Sequence, residues 1–264
     1  MSDDRASLVP GTRAGRTQGD YAALAEFWTC FFGDRGPEVE AWATLARPYG
    51  RRVLAPMAAV GELAHGLARA GFEVVAVDRS AAMVREGRRR FPPDEALTWV
   101  RGDVRRLPRA DTPFDFAFLA NGDLHHFDGF EAQARVLARV AGALRPGGAV
   151  GLELFAPAGA SWATPPRRFE PLRPPPGGAR IWKEGATRFD AATLRLEIEQ
   201  TLHVQRAGQR ERHPHRLTLQ LLERDALPAL LERAGLLWLA EYGGYDLAPW
   251  APGAATWIVL AERA

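Results

Sequence analysis

Between Arg52 and Asp78 the pattern of apolar and polar positions changes period twice. Val53 and Leu54 open an apolar run, a short turn follows, and apolar residues then recur at helical spacing from Gly61 to Ala70. Gly71 closes that helix, and Phe72 to Val77 form a second apolar run ending on Asp78. A strand, a tight turn, a helix and a second strand make one β-α-β unit. The alternation continues downstream. Ser80 caps a predicted helix through Met83 to Arg90, which the Pro92-Pro93 pair ends. Leu97 to Val100 is a short third strand. Phe114 to Ala120, apolar apart from Asp115, is a fourth strand buried on both faces. A helix from Glu131 to Leu144, stopped by RPGG, leads into a fifth strand, Ala149 to Phe155. Strands alternating with helices require right-handed crossovers and predict an open, doubly wound, mostly parallel sheet.

The regions on either side of this run follow different patterns. Residues 1–20 are polar and aperiodic, which predicts a flexible N-terminal arm. From Tyr21 to Leu45, apolar residues at helical spacing (Leu24, Phe27, Trp28, Phe31, then Val39, Trp42, Leu45) predict two helices broken at Gly33 to Pro37. Residues 157–180 are rich in Pro, Gly and Ala, and two-residue alternation follows at Leu194, Leu196, Ile198 and again at Leu217, Leu219, Leu221. The span 157–222 therefore reads as an inserted antiparallel β segment within one domain, 21–264. A helix from Arg224 to Ala234, a strand Leu236 to Tyr242 and a last strand Thr256 to Ala261 close the chain; joined without a helix, these strands pair antiparallel or lie apart.

Composition narrows the function classes. At 264 residues, with 47% hydrophobic and 25% charged residues, the chain buries an ordinary globular core. The net charge is only +2, and its positive residues are scattered arginines with Lys183 the sole lysine. No clustered basic face suits nucleic acid. Cys30 is alone, so no disulfide forms within the chain. No apolar run is long enough to span a membrane, and the first residues lack the hydrophobic core of a leader, so the expected location is the cytoplasm.

The order of VLAPMAAVG, VVAVD, GDVRRLP, FDFAFLANGDLHHF and LRPGG, with the closing EYGGYDLAPWAPGAATWIVLAER, resembles the small-molecule branch of the class I S-adenosylmethionine-dependent methyltransferases. The resemblance covers residues 21–264 and implies a seven-stranded Rossmann-like sheet with an antiparallel last strand. It implies S-adenosylmethionine as cofactor and a small-molecule acceptor, methylated at oxygen or nitrogen. Asp78 is then the carboxylate for the ribose hydroxyls, for which the end of a second strand is chemically suited; its structural alternative is a helix cap. Asp103 faces the adenine amine with the Val104 amide beside it, or is a solvated turn aspartate. Met83 packs on the adenine or in the core. The resemblance extends the cofactor set to Tyr21, Arg79 and Asn121, and to Ala55, Met57, Ala59 and Gly61 in the first turn.

That first turn departs from the family pattern, in which an acid ends the strand and glycines follow. Here Ala55 has no carboxylate, and Met57 stands where a glycine is expected. A positive φ at Met57 would cost about 1–3 kcal/mol. Three readings stay open: other groups hold the cofactor's amino end, the pocket takes a different ligand, or the scaffold persists without catalysis as a ligand- or partner-binding protein. A nicotinamide dehydrogenase is a further alternative, disfavoured by the absence of G-x-G-x-x-G. Beyond the fourth strand, ANGDLHHF brings together Asn121, Asp123, His125 and His126. His125 is the first candidate base and His126 the second, because imidazole suits proton removal from an acceptor; packing at a helix start is the alternative role. His213 and His215 share one strand face, with no third metal ligand nearby in sequence, so no metal is expected. Tyr21, Phe27, Trp28, Phe31, Trp162, Trp182 and Phe189 are candidate lid aromatics or parts of a small core.

Overall fold

The computed structural model describes residues 21–107, 112–155, 162–254 and 256–264, so the arm expected over residues 1–20 lies outside the described residues. Strands β1 (Arg52–Pro56), β2 (Glu73–Asp78), β3 (Leu97–Arg101), β4 (Phe114–Leu119) and β5 (Leu144–Leu154) are mutually parallel in the order β3-β2-β1-β4-β5. Their two-residue period feeds two cores. In β1 and β4, Leu54, Ala117 and Leu119 point to one face, and Val53, Ala55, Phe116 and Phe118 to the other. Helices α2 (Gly36–Ala46), α3 (Glu62–Arg69) and α4 (Ala81–Arg90) cover the second face through Trp42, Leu45, Leu63, Leu67 and Val84. Helix α5 (Phe130–Ala143) covers the first through Val136, Leu137 and Val140. Before them, α1 (Tyr21–Ala25) and a 3-10 turn at Trp28–Phe31 replace a single first helix.

A second sheet interrupts the main one in sequence. Strands β6 (Thr164–Phe169), β7 (Arg180–Asp190), β8 (Arg195–Arg206) and β9 (Gln209–Gln220) form a four-stranded antiparallel sheet in chain order. Helix α6 (Leu227–Arg233) then returns the chain to β10 (Leu236–Tyr242) and β11 (Trp257–Arg263). Strand β11 inserts antiparallel between β5 and β10, which completes the seven-stranded order β10-β11-β5-β4-β1-β2-β3. The expected doubly wound, mostly parallel sheet with antiparallel closing strands is the observed one.

Several boundaries move for identifiable reasons. The RPGG stretch does not merely stop α5 but belongs to β5, where pairing shifts from Phe114↔Leu144 to Phe116↔Ala149. The shift leaves Asp115 free to accept from Arg145 Nε at 2.9 Å and from the Arg52 amide at 2.9 Å. Leu194, expected in a strand, has φ +54 in the turn between β7 and β8. The Pro-rich stretch contains β6, whose Thr164 pairs with Thr187 at the edge of the second sheet.

One face of the second sheet packs toward the main domain. Ile181, Leu202 and Val204 share an apolar cluster with Leu24, Phe27, Cys30, Val60 and Met83. The sheet is thereby held against α1 and against the turn after β1.

Candidate functional site

The carboxyl ends of β1, β2 and β4 open onto a cleft with roughly 1310 Å³ of empty space, part of it open to solvent. Its position, outside the strand ends where connections leave in opposite directions, is the expected binding crevice of an open α/β sheet.

Asp78 ends β2 at the wall of this cleft. Its Oδ2 accepts from the Ala59 amide at 2.9 Å and its Oδ1 from the Ser80 amide at 2.8 Å. Each oxygen keeps a lone pair for a ligand hydroxyl. Burial raises its pKa, partly offset by the two amides and Arg79. Ser80 caps α4 by accepting from the Met83 amide at 3.3 Å, which seats buried Met83 in the cleft lining. Arg79 lies beside them, exposed at the cleft edge.

The turn after β1 closes differently from a glycine-rich loop. Met57 has φ +57 and Ala59 φ +50, both in the left-handed region that side chains disfavour. Two contacts hold them there: the Ala58 amide donates to Val77 O at 3.0 Å, and the Ala59 amide donates to Asp78. Gly61, at φ +76, is required on a second count, because a Cβ there would lie 2.3 Å from the Trp99 ring. Met57 packs against the α5-side core, while Ala55, Met57 and Ala59 all line the cleft.

Asp103 caps a 3-10 turn after β3, accepting from the Arg105 amide at 2.9 Å. The Arg105 side chain grips the same carboxylate, with Nε 3.0 Å from each oxygen. Burial works to raise this carboxyl, but the bonds from Arg105 outweigh it and hold it below the ordinary range. Val104 is buried at the cleft wall, and Tyr21 begins α1, its side chain outside the described ones.

After β4, Asn121 at φ +52 and Gly122 at φ +70 swing the chain into a 3-10 turn, Asp123–His126. The Asn121 amide donates to Glu153 Oε2 at 2.8 Å, its Oδ1 accepts from Arg35 at 3.1 Å, and Tyr245 donates to Glu153 Oε1 at 2.7 Å. Asp123 and Glu153 are both pushed up by burial, and Asp123 well above the carboxylate range, with Asp78 and Glu153 as further causes. Arg35, Glu153 and Tyr245 escaped the sequence reading. A lone Glu inside the apolar run VGLELF was the available signal for one of them.

The two histidines part company. His125 is fully buried; its Nδ1–H donates to Gln220 O at 3.0 Å and its Nε2 accepts from the Phe155 amide at 2.9 Å. A carbonyl only accepts and an amide only donates, so this pairing requires the neutral ring. Burial pushes its pKa down to about 4. His125 thus ties the ends of β5 and β9 together. His126 lines the cleft instead, and burial with the nearby Arg79 and His215 pushes its pKa down to about 4 as well. His215 sits on the inner face of the second sheet; among the described residues no metal-holding group of three or more ligands forms. Lys183 shares that face, its ammonium 4.0 Å from the Phe31 ring centroid, and burial lowers its pKa to about 8. Trp28 reaches the cleft lining, whereas Trp182 stacks on His203 at 4.8 Å, on the opposite face of β7 from Lys183. No helix among the described residues is long and apolar enough to cross a membrane.

Residues 53–148 match the family described as a methyltransferase domain. A demethylmenaquinone methyltransferase of Beutenbergia cavernae is 46% identical over 77 residues, which is 29% of this chain and 30% of that protein. The match thus spans less than a third of that relative's length. The sugar N-methyltransferase KedS8 from Streptoalloteichus superposes with a TM-score of 0.76 at 16% identity, covering 97% of this chain and 98% of the other. CalS10 of Micromonospora echinaspora, an amino pentose methyltransferase solved with its S-adenosylmethionine, gives 0.66 at 18% identity over 92% and 95%. At these identities the structural likeness concerns the fold, and it runs over nearly the whole chain.

Proposed function

We propose, from the methyltransferase-domain match over residues 53–148 and the shared fold, that the chain is a class I S-adenosylmethionine-dependent methyltransferase that transfers a methyl group to an oxygen or nitrogen of a small metabolite in the cytoplasm. The observation that carries this reading is Asp78: a strand-end carboxylate with free lone pairs, facing the cleft at the carboxyl ends of β1, β2 and β4.

The residues present fit that cofactor. Asp78 is placed to take two ribose hydroxyls, and Met83 and Val104 offer apolar walls to a purine. Asp103 presents a carboxylate at the same wall, shared with Arg105. When bound, S-adenosylmethionine supplies an electrophilic methyl group on a sulfonium. The chain's own task is to hold an acceptor in line, exclude water and take up a proton. Trp28 and Phe127 line the cleft with His126, and the second sheet packs beside them, which supports an acceptor site closed by apolar side chains. His126 is neutral above about pH 4 and so is available as the proton acceptor; His125, both nitrogens engaged, positions the turn that carries it. The names of KedS8 and CalS10 support a sugar-like acceptor, and that of KedS8 a nitrogen on it.

The left-handed Met57 and Ala59 and the missing acid at Ala55 favour a second reading, a methyltransferase-like binding protein without transfer. Calorimetric titration tests the first. Micromolar binding of S-adenosylmethionine and S-adenosylhomocysteine, about −8 kcal/mol, with none for NADH, is the expected result. Failure of both sulfur ligands to bind rejects the cofactor reading.

A further inference from the structure

We propose that Asp123 supplies, from the end of β4, the carboxylate that β1 lacks at Ala55, and that it receives the ammonium at the aminoacid end of the cofactor. The inference rests on the reading of the cleft as an S-adenosylmethionine site. Strands β1 and β4 are parallel neighbours, with Val53 opposite Phe116 and Leu54 opposite Ala117. One residue further along come Ala55 and Phe118, so the turns that leave the two strands start at the same edge. Both line the same cleft, Ala55 to Ala59 from one turn and Asn121 and Asp123 from the other.

Asp123 has fewer partners than Asp78, Asp103 or Glu153. Asp78 takes two backbone amides, Asp103 takes Arg105, and Glu153 takes the Asn121 amide and the Tyr245 hydroxyl. Among the described residues no side chain donates a hydrogen bond to the half-buried Asp123 carboxylate; the Ala120 backbone is the partner that offsets its burial, and the cleft is its open side. A carboxylate with one backbone partner and no side-chain donor, placed near two further acids, is an unfavourable arrangement that a bound cation relieves. Arg35, whose charge acts on it, is already bonded to Glu38 and to Asn121 Oδ1. The acids do not converge as metal ligands among the described residues. An ammonium, with three N–H donors and a positive charge, matches what Asp123 lacks. A sulfonium has no donor to offer it.

The test compares two ligands that share the nucleoside and the sulfur and differ in the aminoacid end. S-adenosylhomocysteine carries that end, and 5′-methylthioadenosine does not. Titration calorimetry on the full chain and on Asp123→Asn and Asp123→Ser, each checked for folding by circular dichroism, gives both affinities. Both variants are expected to weaken S-adenosylhomocysteine at least tenfold and to leave methylthioadenosine within twofold. Equal weakening of both ligands, or unchanged affinity for S-adenosylhomocysteine, overturns the assignment while leaving the cofactor reading intact. No binding of either ligand by the unaltered protein overturns both.

Discussion

The turn after β1 and the turn after β4 leave adjacent strands at the same edge of the sheet, and they solve opposite problems. The first has no charge of its own: Ala55 to Gly61 is apolar, strained at Met57 and Ala59, and held in shape by Asp78 from β2. The second is crowded with ionisable groups, Asp123, His125 and His126 within one 3-10 turn, and is held in shape by Glu153 from β5 and Gln220 from β9. The difference teaches that binding chemistry is a property of the sheet edge and not of one loop. A loop stripped of its polar groups is compatible with a working site when the neighbouring loop carries them.

Substitutions in the second turn break this contrast most strongly. His126→Asn is expected to lower kcat by roughly 10²–10⁴-fold while leaving S-adenosylhomocysteine affinity unchanged. The acid limb of the unaltered enzyme's pH profile belongs near pH 4 to 5, since the His126 pKa is pushed down to about 4. His125→Asn, by contrast, removes a staple between β5 and β9 and is expected to cost about 2–4 kcal/mol of stability, read by chemical denaturation. A rate loss at His125 without a stability loss would reverse the two roles.

Asp123→Asn sharpens the comparison at intermediate size. The folded-state pKa of Asp123 lies well above the ordinary 3.8, so the native state holds its proton more tightly than the unfolded chain. Stability is therefore lost as pH rises through and above the ordinary value, and Asn avoids that loss. The melting temperature of the variant relative to the unaltered protein should be level near pH 4 and should rise above it progressively towards pH 8. A difference that does not grow with pH counts against a strained carboxylate. The smallest effect is in the first turn. Ala59→Gly relieves a left-handed alanine at φ +50 and should add up to about 1 kcal/mol; a measured loss would mean that the Ala59 side chain itself contributes through its packing near Val60 and Met83.

What could be read from the chain depended on the distance over which each feature is decided. Asp78 and Asp103 were legible because a strand end followed by a turn is local, and both line the cleft. The choice between His125 and His126 was not. Consecutive residues of a 3-10 turn point about 120° apart, so neighbours in sequence face a buried staple and an open cleft. Strand β6 was hidden by its prolines, which an edge strand tolerates and a central one does not. Glu153 was visible only as an unexplained acid in an apolar strand, because its partners Asn121 and Tyr245 are 32 and 92 residues away.

The sequence by itself determined the alternating strands and helices, the parallel sheet they require, and the acids that end β2 and follow β3, since each follows from local period and turn chemistry. The tertiary structure alone decided which ionisable side chains meet. Pairing of β1 with β4 sets Ala55 beside the turn of Asp123, and packing of the second sheet fixes His125 and frees His126. Those encounters depend on strand order and on which faces are buried, quantities set by the burial of the whole chain and carried by no single segment of it.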